Sequence, residues 1–400
     1  MTIDLTTANI RKTNLKIFLV MLAGMFMALV LIRIFFFTMN ASKGTFLGRV
    51  TEAREYLPQI AQDKEDVIMV FGSSMVDAGF SARQFDREIK ALGVDNIKSY
   101  NFGFGGLNPY FQDYLSRRIG EEFSKQDKQL KLAVIEFNPF QTTKARWNGA
   151  IPIIDSFTTL LASPEELWEI TKEDPARGVL MAEIYYLRDG VSAQMATSFF
   201  GRPFRGDRER SETPVDEELQ KQLEEVGSKL GEAFRTEYPD FDGCDWCIDW
   251  QGAGTIPEER SEETLALFVP YYESLRSKRR MENDRYNRIF CCDIEGLDFE
   301  ETLVEAFIKV VKNFQGFSEQ VEVILLPRNT EWITYSDEAQ QRLDAVLERI
   351  ARETGVSIRN YQEEPRFTPE MYSDTTHFAR YSGDVEFTNM LVEEFVDQLR

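Results

Sequence analysis

The stretch VIMVFG, residues 67 to 72, is a short apolar run that ends in a glycine. Such a run is typical of a parallel strand that is buried on both faces of a sheet. Segments with helical periodicity separate it from four similar runs, SYNFGFGG (99–106), KLAVIEFN (131–138), VEVILLP (321–327) and VSIRNY (356–361). We therefore predict an α/β fold with a doubly wound, parallel, five-stranded sheet flanked by helices.

The alternation of strands and helices lapses in the middle of the chain. Between the third and fourth apolar runs, helical patterns such as SPEELWEI (163–170) alternate with charged, turn-rich stretches such as GRPFRGDRERSETP (201–214). We read residues 63–400 as one domain that carries a large, mainly helical insertion over about 155–315.

The N-terminal region contains an uncharged apolar block, IFLVMLAGMFMALVLI (17–32), of roughly the length that crosses a bilayer. We predict a cytoplasmic tail over 1–14, a transmembrane anchor over 15–37 and a juxtamembrane stalk over 38–62. A cleaved signal peptide is the alternative. Basic residues flank the block almost equally, so charge alone does not orient it. The short polar N-terminus resembles that of a signal anchor, which would place everything after about residue 40 outside the cytoplasm, in the periplasm or at the cell surface.

The composition limits the class of partner. The chain has 67 acidic and 46 basic residues, a formal net charge of -21. This argues against nucleic acid as the main partner, because phosphate recognition needs clustered Lys and Arg. A hydrophobic content of 43% is typical of a packed globular protein.

The four cysteines, Cys244, Cys247, Cys291 and Cys292, lie in a short part of the chain. Their even number favours one or two local disulfides formed in an oxidising compartment. A zinc site at Cys244-x-x-Cys247 is the weaker alternative, because the other two cysteines are adjacent and no histidine lies nearby. We expect neither a metal nor a cofactor.

Polar residues with catalytic potential follow the predicted strands, where the reactive groups of an open α/β sheet gather. Ser73 and Ser74 follow the first strand, as a nucleophile or as helix caps. The glycines of NFGFGG (101–106) can direct backbone N–H groups at an oxyanion, and Asn138 can add a neutral donor or brace its loop. After the last strand, an aspartate precedes the single histidine by three residues, in SDTTHF (373–378).

This order of serine, glycine, asparagine and Asp-x-x-His resembles the SGNH (GDSL-like) hydrolase superfamily. The resemblance implies that Ser74 is the nucleophile, that His377 and Asp374 complete a triad, and that Gly106 and Asn138 belong to the oxyanion hole. Two blocks depart from the family pattern, because serine replaces the usual aspartate in GSS (72–74) and EFNPF (136–140) replaces Gly-x-Asn-Asp.

The resemblance covers residues 65 to 145 and 320 to 400. With GSS and an N-terminal anchor, the chain resembles the acyl-transfer accessory proteins, which include the teichoic acid D-alanyl transfer protein and the alginate O-acetylation proteins. These proteins work beside a polytopic membrane-bound O-acyltransferase. The resemblance implies that this chain has such a partner and that it moves an acyl group, expected to be acetyl, onto a polysaccharide acceptor. An anchored esterase or lipase, and a catalytically silent glycan-binding scaffold, are the alternatives.

Three further residues are weaker candidates for acceptor binding. Trp147 and Trp332 follow the third and fourth strands, where an aromatic ring can stack on a sugar or simply pack. Arg328 can meet a carboxylate or cap the end of a strand.

Overall fold

A computed structural model of the chain describes residues 5–40, 46–188, 217–237, 258 and 260–400. The chain packs as two compact units. One unit comprises Met1–Ser42 and Pro152–Gly206, and the other comprises Lys43–Ile151 and Asp207–Arg400. The sheet belongs to the second unit, which also contains every candidate catalytic residue.

The sheet has five parallel strands, which confirms the predicted α/β class and the parallel, five-stranded sheet flanked by helices. Their order is β2-β1-β3-β4-β5, so that β1 and β3 occupy its centre. In the register, Phe71 of β1 lies beside Phe102 of β2 and Ile135 of β3. The strands are β1 (Asp66–Ser73), β2 (Ile97–Phe104), β3 (Leu132–Glu136), β4 (Val321–Leu325) and β5 (Ile358–Asn360).

Helices precede, separate and follow the strands. Within the described residues they are α1 (Leu5–Asn40), α2 (Phe46–Ile60), α3 (Ser74–Gly79), α4 (Ala82–Ala91), α5 (Pro109–Lys125), α6 (Lys144–Ala150), α7 (Ile154–Leu161), α8 (Pro164–Glu173), α9 (Pro175–Arg188), α10 (Glu217–Glu237), α11 (Glu262–Leu275), α12 (Lys278–Cys292), α13 (Glu301–Gln315), α14 (Asp337–Thr354) and α15 (Gly383–Leu399). Short 3-10 turns occur at Pro139–Gln141, Ile151–Ile153 and Pro369–Met371.

The described parts of the segment between β3 and β4 are mainly helical, with helices α6 to α13 joined by turns and short loops. The charged stretch 201–214 lies outside the described residues. The last of these helices, α13, packs against α5 and β4 and therefore belongs to the layer that covers the sheet.

The core of the sheet unit is aromatic. Phe71 at the centre of β1 is fully buried, and its ring lies 5.0 Å from that of Phe314 on α13. The ring of Phe137, just after β3, lies 4.9 Å from that of Phe307 on the same helix. Each such side chain contributes about 1.5 to 3 kcal/mol through burial, so Phe71→Ala is expected to cost about 3 to 5 kcal/mol.

Helix α2 occupies most of the segment predicted as a stalk. Its apolar residues Val50 and Leu57 are buried, and the helix packs against α5 and β2. Arg49 donates to the backbone oxygens of Gly103 (2.7 Å) and Asn101 (3.1 Å). This part of the segment is therefore integrated into the sheet unit.

Helix α1 contains a span, Thr13–Phe35, that is long and apolar enough to cross a membrane. None of these 23 residues is buried within the structure. The length and composition of the span agree with the predicted anchor, whose retention and orientation stay predictions.

Candidate active site

The turn from β1 into α3 gives the two serines different environments. Ser73 is fully buried and caps α3, where its hydroxyl accepts from the backbone N–H of Met75 (3.1 Å). Ser74 is the first residue of α3, and its Oγ lies 2.7 Å from His377 Nε2. The structure therefore brings His377 to the serine that was predicted as the nucleophile.

His377 also contacts the predicted aspartate. Its Nδ1 lies 2.7 Å from Asp374 Oδ2, while Oδ1 of the same carboxylate accepts from the backbone N–H groups of Thr376 (2.7 Å) and His377 (2.8 Å). Both carboxylate oxygens thus help to fix the loop that carries the imidazole. A carboxylate at Nδ1–H holds the tautomer whose Nε2 can take a proton from a serine hydroxyl.

The electrostatics of the loop keep Asp374 ionised. Burial alone would raise the pKa of this carboxyl, but His377, Arg288 and the backbone N–H of His377 outweigh burial and hold the pKa well below its usual range. An ionised carboxylate at this position can stabilise the imidazolium that forms when Ser74 loses its proton.

Arg288 and Asp284 on α12 join the site from the helical segment, which the sequence reasoning did not anticipate. Arg288 Nη2 donates to Asp374 Oδ2 (3.0 Å), and Nε donates to Asp284 Oδ2 (2.8 Å). Asp284 in turn accepts from the backbone N–H of Thr375 (3.1 Å) and from its hydroxyl. These bonds fasten α12 to the loop that carries the triad residues.

The glycine turn after β2 passes beside Ser74. A Cβ added at Gly105 would lie 3.8 Å from Ser74 Cβ. Gly106 has a φ of +75°, in the left-handed region that favours glycine, and its backbone oxygen accepts from Arg146 Nη2 (3.0 Å). The structure therefore places Gly106 in a fixed turn near Ser74, and its oxyanion role stays a prediction.

Asn138 follows β3 and contacts the nucleophile turn. Its amide nitrogen donates to Ser73 Oγ (2.8 Å) and approaches Met75 Sδ (3.4 Å), while its amide oxygen accepts from the backbone N–H of Phe140 (2.9 Å). In this structure the side chain braces the turn on both sides of Ser74. An oxyanion role would require the amide to exchange Ser73 Oγ for the oxyanion.

A buried carboxyl lies beneath the nucleophile turn. Glu136, the last residue of β3, is 2% exposed and accepts from the backbone N–H (2.5 Å) and the hydroxyl (3.0 Å) of Ser73. Burial raises its pKa to about 7, although the Ser73 hydrogen bonds oppose this. A Cβ at Gly72 would meet Glu136 Oε2 at 2.3 Å, so the glycine that ends VIMVFG makes room for this carboxyl.

The three candidates for acceptor binding contact residues outside the Ser74–His377–Asp374 series. Trp147 is half-buried and packs edge-on against Tyr110, with ring centroids 5.3 Å apart. Arg328 is buried, donates to the backbone oxygen of Ile333 (2.8 Å) and lies 4.0 Å from the ring of Tyr335, so it braces its own loop. Trp332 is half-buried at the edge of a cavity of about 500 Å³. The described contacts of these three candidates include none with the triad.

The structure describes two of the four cysteines for which disulfides were predicted. Cys291 and Cys292 end α12 as free thiols, whereas Cys244 and Cys247 lie outside the described residues. A hydrogen bond from Cys292 lowers the pKa of the Cys291 thiol to about 6, and Arg146 and Arg288 add to the effect although burial opposes it. No group of three or more His, Cys, Asp or Glu residues that could hold a metal occurs among the residues described.

Compared with known proteins, the chain matches no family model and no curated protein. The geometry and chemistry of the site are therefore the basis for the function proposed below.

Proposed function

We propose that the chain is a membrane-anchored serine acyltransferase of the SGNH type, which moves an acyl group, here acetyl, onto a cell-surface or secreted polysaccharide. The observation that carries the proposal is the continuous hydrogen-bonded series Ser74 Oγ, His377 Nε2, His377 Nδ1 and Asp374 Oδ2, with both links at 2.7 Å. A serine hydroxyl in contact with an oriented imidazole is the arrangement that nucleophilic acyl transfer requires.

In the first half-reaction His377 Nε2 takes the Ser74 proton as Oγ attacks the carbonyl carbon of an acyl donor. The resulting oxyanion is stabilised by the backbone N–H groups of Ser74 and Gly106, and by the Asn138 amide if it turns from Ser73. The intermediate collapses as the bond to the leaving group breaks and His377 returns the proton to that group. An acyl-serine at Ser74 remains.

In the second half-reaction a sugar hydroxyl replaces the leaving group. His377 takes the hydroxyl proton, the sugar oxygen attacks the acyl-serine, and the proton returns to Ser74 Oγ as the ester forms on the polysaccharide. A polytopic membrane-bound O-acyltransferase is the proposed donor-side partner. In this arrangement the N-terminus is cytoplasmic and the sheet unit is extracytoplasmic.

Hydrolysis is the second candidate function, and one observation favours it. The side chains of His377 and Asp374 are 23% and 30% exposed, so the imidazole is within reach of solvent. If water attacks the acyl-serine, the same residues make an anchored esterase.

The two functions separate in a partition experiment on the full chain in nanodiscs. With p-nitrophenyl acetate as donor and a neutral oligosaccharide as acceptor, the proposal predicts acetylated sugar, and an esterase gives only acetate. Ser74→Ala should abolish both products. Ser73→Ala is the comparison variant: it removes the α3 cap and the bonds to Glu136 and Asn138 but leaves the Ser74–His377 pair, so both products should decrease and still be formed. A protein that neither transfers nor releases acetate would favour the silent glycan-binding scaffold.

A further inference from the structure

The unit that contains α1 has an exposed apolar face that the proposed chemistry does not use. Helix α9 includes the stretch GVLMAEIYYL (178–187), in which Glu183 is the one charged residue. Gly178, Met181 and Ile184 recur at spacings of three along this stretch and are buried, so they form its inner side. The residues between and after them are exposed up to Tyr186, and they comprise four large apolar side chains together with Ala182 and Glu183.

This outer side of α9 is defined by Val179, Leu180, Tyr185 and Tyr186. Their exposed fractions are 72%, 41%, 47% and 69%. The two tyrosine rings pack edge-on against each other, with centroids 5.0 Å apart. The exposed Glu183 lies between Val179 and Tyr186 on the same side, so the apolar side chains surround one carboxylate, which can extend towards the headgroups from an interface. A group of large exposed apolar side chains of this kind marks an interaction surface more often than ordinary protein surface.

The position of α9 along α1 indicates what covers this surface. Over residues 13–35, the part of α1 whose side-chain exposure is described, Leu29 and Arg33 are the half-buried residues, and they lie one turn apart on the same side. Arg33 Nη1 donates to the backbone oxygen of Tyr185 (2.7 Å), and α9 packs against α1. At about 1.5 Å per residue, the two contact residues lie about 3 to 9 Å from Phe35, where the apolar span ends.

We propose that the outer side of α9 lies in the lipid bilayer at the boundary between the acyl chains and the headgroups. Tyr and Trp are enriched at this level of membrane proteins, and the contact with α1 sets α9 at that depth. The bond to Tyr185 also satisfies Arg33, the one charge within the apolar span after Lys16.

The neighbouring helix α8 supports the same placement. Trp168 is 60% exposed, and the Lys172 ammonium lies 5.9 Å from its ring centre. The Lys172 ammonium also bonds Glu169 (2.6 Å), so the pair adds no net charge beside the tryptophan, while the alkyl part of the lysine covers apolar surface. Because α8 is otherwise acidic, the attraction to the membrane is apolar, and zwitterionic lipid is sufficient.

The proposal rests on α1 crossing the membrane, so the test includes both helices. The full chain is prepared with p-benzoylphenylalanine at position 179 or 186 and reconstituted in phosphatidylcholine nanodiscs. The same amino acid in place of Met21, which is exposed in the middle of the apolar span, is the positive control. The same amino acid in place of Leu92, an exposed apolar residue of the sheet unit, is the matched negative control. After irradiation, intact mass measures the yield of lipid adduct at each position.

We expect lipid adducts at 179 and 186 in yields comparable with Met21 and well above Leu92. Adducts at Met21 but not on α9 would overturn the proposal while α1 remains a membrane helix. An absence of adducts at Met21 as well would remove the premise. In native membranes, crosslinks from 179 and 186 to a protein instead of lipid would also overturn it, because the surface would then dock a membrane protein.

Discussion

Glu136→Gln tests whether a neutral carboxyl supports the nucleophile turn. Glu136 accepts the Ser73 N–H at 2.5 Å and is 2% exposed. Burial raises its pKa from 4.5 in the unfolded chain to about 7 in the fold. Glutamine has nearly the same shape, and its amide oxygen can still accept the Ser73 N–H, so the substitution removes mainly the ionisation.

The sign of the pH effect follows from the direction of the shift. Between the two pKa values the folded chain keeps a proton that the unfolded chain has released, so the free energy of unfolding of the wild type falls as pH rises. A difference of about 2.5 units at about 1.4 kcal/mol each corresponds to about 3 kcal/mol, lost between about pH 4.5 and pH 7. The glutamine variant lacks this loss.

The assay is urea unfolding of the full chain in detergent, followed by tryptophan fluorescence at pH 4 and pH 8. The difference in unfolding free energy, variant minus wild type, should be about 3 kcal/mol more positive at pH 8. Taking this difference cancels the other buried carboxyls with raised pKa values, such as Asp86 and Asp384. A difference that does not change with pH would refute the reasoning.

Substitutions at three further positions test the site through its kinetics. Arg288→Met removes a charge-assisted bond to Asp374 worth about 1.5 to 3 kcal/mol, so kcat should fall about 10- to 100-fold with KM unchanged. Arg288→Lys should restore part of the rate, and equal loss in both variants would contradict the charge argument. Asn138→Ala should lower kcat about 10²- to 10³-fold if the amide serves the oxyanion, and full activity would exclude that role. Gly106→Ala places a Cβ on a residue with a φ of +75°, 3.2 Å from Arg146 Nη2. Both the catalytic rate and the melting temperature should therefore fall. Unchanged values would place the glycine turn outside the oxyanion hole.

The sheet could be predicted from the sequence because buried parallel strands are nearly continuous apolar runs. The pattern identified all five strands, but it predicted the last one over 356–361, whereas β5 spans only Ile358–Asn360. This strand lies at the edge of the sheet and pairs only with β4. An approach of His377 to a serine of the first loop could also be anticipated, because the carboxyl ends of parallel strands meet at one edge. The choice of Ser74 over Ser73 came from the resemblance to SGNH hydrolases.

Two components of the site could not be predicted in this way. Arg288 and Asp374 lie 86 positions apart, and the i,i+4 spacing of Asp284 and Arg288 looks like an ordinary ion pair on a helix surface. The burial of Glu136 depends on the missing Cβ of Gly72 on the neighbouring strand. Both features arise from packing between distant segments, which local patterns do not record.

The most direct test of the central claim is covalent labelling of the nucleophile. The full chain in nanodiscs is treated with a fluorophosphonate, and intact mass is compared for the wild type, Ser74→Ala, His377→Ala and the Ser73→Ala control. The account predicts one adduct on the wild type and on Ser73→Ala, and none on the other two variants. An adduct that persists in Ser74→Ala, or no adduct on folded wild-type protein, would contradict an activated Ser74.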